Sequence, residues 1–354
     1  MGTGRRHLQG IRVGARLLVV GLALEACSTT GTGTGHPATG PSIPVTPTTT
    51  TTAPPGLGTL LVEPDDGYGP VDAFIAGAGR SVDMTMYELA DPGAEAALVA
   101  DAARGMDVRV LLDRAGAGTV ANGPAYARLA AGGVHVAWSY PGELFHQKTI
   151  TVDDAISLVM TGNLTSAYYP TTRDFGLFDA DPADVAAIES TFDADFAGAS
   201  PAPAPAGSDL LWSPGSEAAL VDLIGSAHAT VTVESEEMDS EPVEAALAAD
   251  AGRGVVVDVV MTASSSWDSA FDRLEAAGVH VLVYQGEAPL YVHAKVVVVD
   301  AGLADRQAFV GSQNFSAASL RYDRELGVVT SDPAVVDGLA ATLAEDAHGG
   351  ALWS

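Results

Sequence analysis

The sequence predicts an α/β layer fold built twice in tandem, and three observations carry this reading. The stretch from about residue 59 to 199 recurs from about 209 to 348. Within each copy, short alternating or β-branched runs are interleaved with Ala-rich amphipathic runs, the pattern of strands and helices packed in layers. The 354-residue chain has only two lysines, Lys148 and Lys295, and each stands at the same place in its copy.

Taken in order, each copy opens on a short apolar run ending in proline, Leu60-Leu61-Val62-Glu63-Pro64 and Leu210-Leu211-Trp212-Ser213-Pro214. A helical pattern follows at 71–78 and 218–226, then an alternating strand at 81–87 and 230–235. Next comes an Ala-rich helix that ends in Arg-Gly, at Arg104-Gly105 and Arg253-Gly254, and a β-branched strand at 108–112 and 255–260. Another helix leads to Gly133-Val134-His135-Val136 and Gly278-Val279-His280-Val281. His135 and His280 sit in a strand setting that favours a structural role over catalysis. His7, His36, His228 and His348 have no counterpart in the other copy. Residues 200–208 alternate Pro and Ala and join the copies as a semi-rigid spacer.

The first 58 residues are of another kind. Arg5, Arg6, Arg12 and Arg16 precede an apolar run at 17–24 that is far shorter than the ~20 residues needed to span a bilayer. Ala26-Cys27 closes the segment, so residues 1–27 read as an export signal. Leu24-Glu25-Ala26-Cys27 resembles a bacterial lipobox, with Glu25 departing from the usual small residue, and the resemblance implies lipidation of Cys27. Cys27 is the only cysteine, which excludes an intrachain disulfide and a Cys-based metal site. Residues 28–58, rich in Thr, Gly and Pro, read as a flexible tether. The expected product is exported: an envelope lipoprotein on the outer face of the cytoplasmic membrane, or a secreted protein.

Cleavage before Cys27 removes four arginines and one glutamate and leaves 13 basic against 44 acidic residues, a net charge of −31. Long nucleic acids bind through phosphate neutralisation on a basic footprint, so this field disfavours them as partners.

The chemistry concentrates around the lysines. Lys148 lies in His146-Gln147-Lys148 with Asp153 five residues on; Lys295 lies in His293-Ala294-Lys295 with Asp300 five residues on. Two such coincidences have a chance probability on the order of 10⁻⁵. A second cluster follows each: Met160-Thr161-Gly162-Asn163 in the first copy and Gly311-Ser312-Gln313-Asn314 in the second. Beyond them Arg173-Asp174-Phe175-Gly176 matches Arg324-Glu325-Leu326-Gly327.

His-x-Lys-x4-Asp followed by Gly-Ser-x-Asn, twice in one chain, resembles the phospholipase D superfamily. The resemblance covers residues 59–348 and extends to Met86-Tyr87-Glu88 and Ala103-Arg104-Gly105. It implies two pseudo-twofold-related halves, each a mixed β-sheet flanked by helices, with both motifs at one shared site in an internal pseudo-dimer that needs no second chain. Strand alternation places His and Lys on one face. A site made from both motifs then offers two imidazoles, two ammonium groups, two Asn amides and the hydroxyls of Thr161 and Ser312, a set that suits a phosphodiester. The resemblance assigns His146 as nucleophile and His293 as general acid, with Lys148, Lys295, Asn163 and Asn314 stabilising the phosphoryl oxygens. Asp174 and Glu325 are expected to hold the imidazole tautomers, and Asp153 and Asp300 to act structurally at strand ends. No cofactor or metal is called for, because the lysines supply positive charge.

The function expected is hydrolysis or transfer of a phospholipid head group, with a phospholipid or other phosphodiester as substrate and the membrane surface reached through the lipid anchor. An endonuclease of the same superfamily is the competing activity, disfavoured by charge. A surface lipoprotein without activity has no positive feature in its support. Tyr168, Tyr169, Trp267 and Tyr291 are candidates for an apolar pocket wall.

Overall fold

A computed structural model describes residues 59–198, 204–205, 207–286 and 288–354. The expected export signal, Cys27, the tether and most of the Pro/Ala spacer lie outside the described residues.

The first half runs β1 (Thr59–Glu63), α1 (Gly69–Ala76), β2 (Ser81–Met86), α2 (Pro92–Ala103), β3 (Asp107–Leu112), α3 (Gly118–Ala121), α4 (Gly123–Ala131), β4 (His135–Trp138), β5 (Lys148–Val152), β6 (Ile156–Met160), β7 (Thr172–Asp179) and α5 (Pro182–Phe196). The second runs β8 (Leu210–Ser213), α6 (Glu217–Gly225), β9 (Thr230–Ser235), β10 (Met238–Asp239), α7 (Glu241–Gly252), β11 (Val256–Thr262), α8 (Asp268–Ala276), β12 (His280–Tyr284), β13 (Tyr291–Val292), β14 (Lys295–Val299), β15 (Gln307–Gly311), β16 (Phe315–Ser316), α9 (Ala317–Arg321), β17 (Glu325–Thr330), α10 (Pro333–Gly349) and β18 (Ala351–Leu352).

The helices start where local chemistry tells them to. Asp91, Asp181 and Asp332 each precede a proline, and each carboxylate accepts from backbone N–H groups of the first turn. An acidic N-cap with Pro at N1 satisfies orphan donors and presets φ.

Each half carries one mixed sheet, with order β1-β7-β6-β5-β2-β3-β4 in the first and β18-β12-β11-β9-β14-β15-β17-β8 in the second. The β2-β3-β4 and β9-β11-β12 pairings are parallel; the pairings around β5 and β14 are antiparallel. One face of each sheet packs on its own helices, as in the cluster of Val71, Ile75, Val82, Met84, Leu98 and Leu129. The other face meets the other half: Val159, Phe175 and Leu177 pack with Val296, Val298, Val310 and Leu326 in one apolar layer. With both faces covered, all five residues of β5 and of β14 are buried, which accounts for their unbroken β-branched runs.

Backbone pairing also crosses between halves. β13 adds in parallel to β7 through Tyr291↔Thr172 and Val292↔Arg173, and Phe145 bridges to Arg324. Two buried ion pairs reinforce this. Arg173 reaches Asp346 on α10 at 2.6 Å, and Arg324 reaches Asp195 on α5 at 3.1 Å. These crossings set the position of the segments that carry the motifs.

Candidate active site

β5 and β14 begin at Lys148 and Lys295, so the histidine two residues earlier lies just outside its own sheet. There the backbone is held by the opposite half: the N–H groups of His146 and Gln147 donate to the Arg324 carbonyl at 3.0 and 3.1 Å, and the His293 N–H donates to the Arg173 carbonyl at 3.2 Å. The expectation that His and Lys share one regular strand is thereby corrected. The lysine belongs to its own sheet and the histidine is stitched to the partner sheet.

The side chains cross in the same way. His146 Nδ1 lies 2.9 Å from Glu325 Oε2, and His293 Nδ1 lies 2.8 Å from Asp174 Oδ1. Each imidazole is therefore held by the acid of the other half, and the two motifs form one composite site. His146 Nδ1 also lies 3.2 Å from the Ser312 carbonyl. A carbonyl only accepts, so the proton sits on Nδ1 and the lone pair on Nε2. Burial first, then the charges of Lys148 and Lys295, push this ring well below the ordinary imidazole value and keep it neutral.

Both lysines are buried, with 1% of Lys148 and none of Lys295 exposed. Lys148 Nζ donates to the His146 carbonyl at 2.6 Å and stands 5.0 Å from the centre of the Tyr87 ring. Burial, and next the charge of Lys295, bring the Lys148 ammonium down to about 7. Lys295 Nζ donates to Glu236 Oε2 at 3.0 Å and lies 3.2 Å from His293 Nε2.

The hydroxyls take a different place from the one expected. Thr161 Oγ1 donates to Asp174 Oδ1 at 2.6 Å and accepts from the Phe175 N–H at 2.8 Å. Ser312 Oγ donates to the Leu326 carbonyl at 3.3 Å and accepts from the Leu326 N–H at 3.2 Å. They brace the strands that carry the two acids. Burial pushes Glu325 up to about 7, and its Oε1 accepts from Ser319. The amide oxygens of Asn163 and Asn314 are buried without a protein partner among the described residues.

Asp153 and Asp300, both with positive φ, lie at the far ends of β5 and β14. Asp153 accepts from the N–H groups of Gly79, Arg80 and Ser81, and Asp300 from those of His228, Ala229 and Thr230. They tie the following turn to the start of β2 and of β9. The missing glycine at position 160 also has a local reason. A Cβ at Gly311 would stand 2.6 Å from the Gly327 Cα, whereas Met160 fills the first core. The close approach in the first half falls instead at Gly162, where a Cβ would stand 2.7 Å from the Asp174 carboxyl.

His135 and His280 are exposed at strand starts beside Asp107 and Asp258, away from this cluster. Of the candidate aromatics, Tyr291 reaches the site through a 3.1 Å bond to Glu236. Tyr169 packs on Tyr68, Trp267 lies against the second core, and Tyr168 is exposed. Sequence reasoning missed Glu236 and Ser319. A comparison of the copies finds what is shared, and these positions correspond to Tyr87 and Tyr168 in the first copy.

A family profile described as "Cardiolipin synthase, PLD-like domain" matches residues 71–196 and 220–347, once in each half. The chain belongs to this phospholipase D-like family. No curated protein matches the sequence significantly. Among solved structures, phosphatidylserine synthase of Haemophilus influenzae Rd KW20 aligns with TM-score 0.64 and 12% identity over 83% of this chain and 87% of its own. Polyphosphate kinase from Porphyromonas gingivalis aligns with TM-score 0.62 and 18% identity over 81% of this chain, which spans only 50% of that kinase. The phospholipase D family member Nuc from Salmonella typhimurium matches 41% of this chain and 95% of its own length at 19% identity and TM-score 0.36. At these identities the likeness to the synthase and the kinase is one of fold. Membership in the phospholipase D-like family places the chain among phosphodiester-acting enzymes, with two such halves in one molecule.

Proposed function

We propose that the protein is a phospholipase D-type phosphodiesterase that hydrolyses or transfers a phospholipid head group through a phosphohistidine at His146. The observation that carries this is the crossed pair of imidazoles, one of them neutral with its Nε2 lone pair free, beside two buried lysines. In the first step the Nε2 lone pair of His146 forms an N–P bond, the P–O bond to the head-group alcohol breaks, and His293 gives its Nε2 proton to the leaving oxygen. In the second step His293 takes a proton from water, the water oxygen bonds to phosphorus, and the N–P electron pair returns to His146. An alcohol in place of water gives transfer. Lys148, Lys295 and the amides of Asn163 and Asn314 face the charge that grows on the phosphoryl oxygens; preorganised donors of this kind supply much of such rate enhancements. The amide oxygens left without a protein partner among the described residues support that role, since each amide can turn to present its NH2 to a ligand. Asp174 and Glu325 act as orienting acceptors, and Asp153 and Asp300 as structural ties.

The net charge of −28 supports a lipid or small phosphodiester over nucleic acid. Among the described residues no helix is long and apolar enough to cross a membrane. In this reading the enzyme is exported and held at the membrane by a lipid on Cys27. Full-length protein incubated with phosphatidylcholine or phosphatidylethanolamine vesicles in EDTA should release the head group. Degradation of DNA with the vesicles left intact would overturn the lipid reading.

A further inference from the structure

The pseudo-twofold axis makes position 87 equivalent to position 236, because Met86 pairs with Lys148 in the first sheet and Ser235 pairs with Lys295 in the second. The two side chains have opposite chemistry. The Tyr87 ring stands edge-on to the His146 ring at 4.6 Å, an aromatic wall. The Glu236 carboxylate stands in the second motif, with Oε2 at 3.0 Å from Lys295 Nζ and 3.3 Å from His293 Nε2, while Oε1 accepts from Tyr291 OH at 3.1 Å. His293 thus lies between two carboxylates, Asp174 at Nδ1 and Glu236 at Nε2. Among the described residues, the His146 ring makes its hydrogen bonds through Nδ1 alone.

We infer that Glu236 is the positioning residue that makes the two histidines unequal, holding the Nε2 proton of His293 so that this ring serves as the acid and His146 is left as the nucleophile. The inference rests on the phosphodiesterase reading above and adds to it the residue that fixes the direction of the reaction. Its physical basis is that a nearby opposite charge favours a charged ring, whereas aromatic burial favours a neutral one. Lys295, 3.2 Å from the same Nε2, opposes a charge on His293; Glu236 bridges both cations and offsets that repulsion. Glu88 also acts on His293, and the two imidazoles act on each other, at longer range. Burial alone would raise the Glu236 carboxyl, but His293 and then Lys295 outweigh it and hold it well below the usual range, so it is an anion.

The test uses full-length wild type and Glu236→Gln with two substrates. Phosphatidylcholine expels choline as an alkoxide that needs a proton; p-nitrophenyl phosphocholine expels p-nitrophenolate, which does not. Glu236→Gln should lower kcat about 100-fold on the first and less than about threefold on the second, the signature of a lost general acid. Equal losses on both would mean a structural role and overturn the inference, as would no loss on either. Ring ¹⁵N NMR at pH 7, with the signal assigned by His293→Gln, gives a readout independent of turnover. Both His293 nitrogens should carry protons in the wild type and only one in Glu236→Gln; a singly protonated ring in the wild type overturns the inference. If the wild type turns over neither substrate while the ring signals change as stated, the phosphodiesterase reading fails and the role of Glu236 in holding the proton stands.

Discussion

In the first half the motif histidine packs against Tyr87, donates to a carbonyl and a carboxylate through Nδ1, and sits beside a lysine whose ammonium donates to a backbone carbonyl and stands over an aromatic face. In the second half the motif histidine lies between Asp174 and Glu236, and its lysine shares the second of these acids. The frames of the two halves are copies, with strands, turns and tying aspartates in matching places. Backbone symmetry brings identical groups together, but position 87 places an aromatic ring beside His146 while position 236 places a carboxylate beside His293 and Lys295.

The sharpest way to break this comparison is to remove each histidine in turn. His146→Ala should lose about 10⁴-fold or more in kcat on every phosphodiester, because the nucleophile itself is gone. His293→Ala should lose as much on a phospholipid yet still form a phosphoenzyme with a p-nitrophenyl substrate, and that phosphate should map to His146. Phosphate on His293 instead would reverse the roles of the halves.

The crossed acids come next. Asp174→Asn and Glu325→Gln should each lower kcat by about 10²- to 10⁴-fold, since an amide offers the ring a donor and favours the wrong tautomer. Because each acid serves the histidine of the other half, Glu325→Gln should slow phosphoenzyme formation on any substrate. Asp174→Asn should slow it chiefly where the leaving group needs a proton. Identical profiles for the two variants would erase the distinction between halves.

The smallest expected effect concerns pH. Lys148, brought to about 7 by burial and Lys295, is charged below that pH and neutral above it in the free enzyme. A bound phosphoryl anion favours the charged form. The quantity kcat/KM, which reports the free enzyme, should therefore fall above about pH 7, while kcat holds to higher pH. Lys148→Met should remove that alkaline limb. A limb that stays in place would assign it to another group.

Much of this was legible in the chain. The period of the strands and helices, the duplication, and the placement of all lysines in one motif pointed to two α/β halves and to His146, Lys148, His293 and Lys295. Asp174 and Glu325 were legible because both copies carry an acid after Arg. Glu236 was not, because it is visible only as a departure from Tyr87, and departures between copies are numerous. The hydroxyls of Thr161 and Ser312 were legible as supporting groups, yet which strand they brace depends on the neighbours they meet, and both turn toward the strands bearing the acids.

What the sequence determined by itself is what depends on local order: strand and helix periodicity, helix caps at Asp-Pro, and the spacing of His, Lys and Asp within each motif. What only the tertiary structure decided is which half each group serves. His146 is held by Glu325 and His293 by Asp174, across separations of 179 and 119 residues. The crossing arises because the two sheets bury a common apolar face and exchange backbone bonds at Arg173 and Arg324. No local pattern encodes such a contact, since it exists only where two surfaces far apart in the sequence meet.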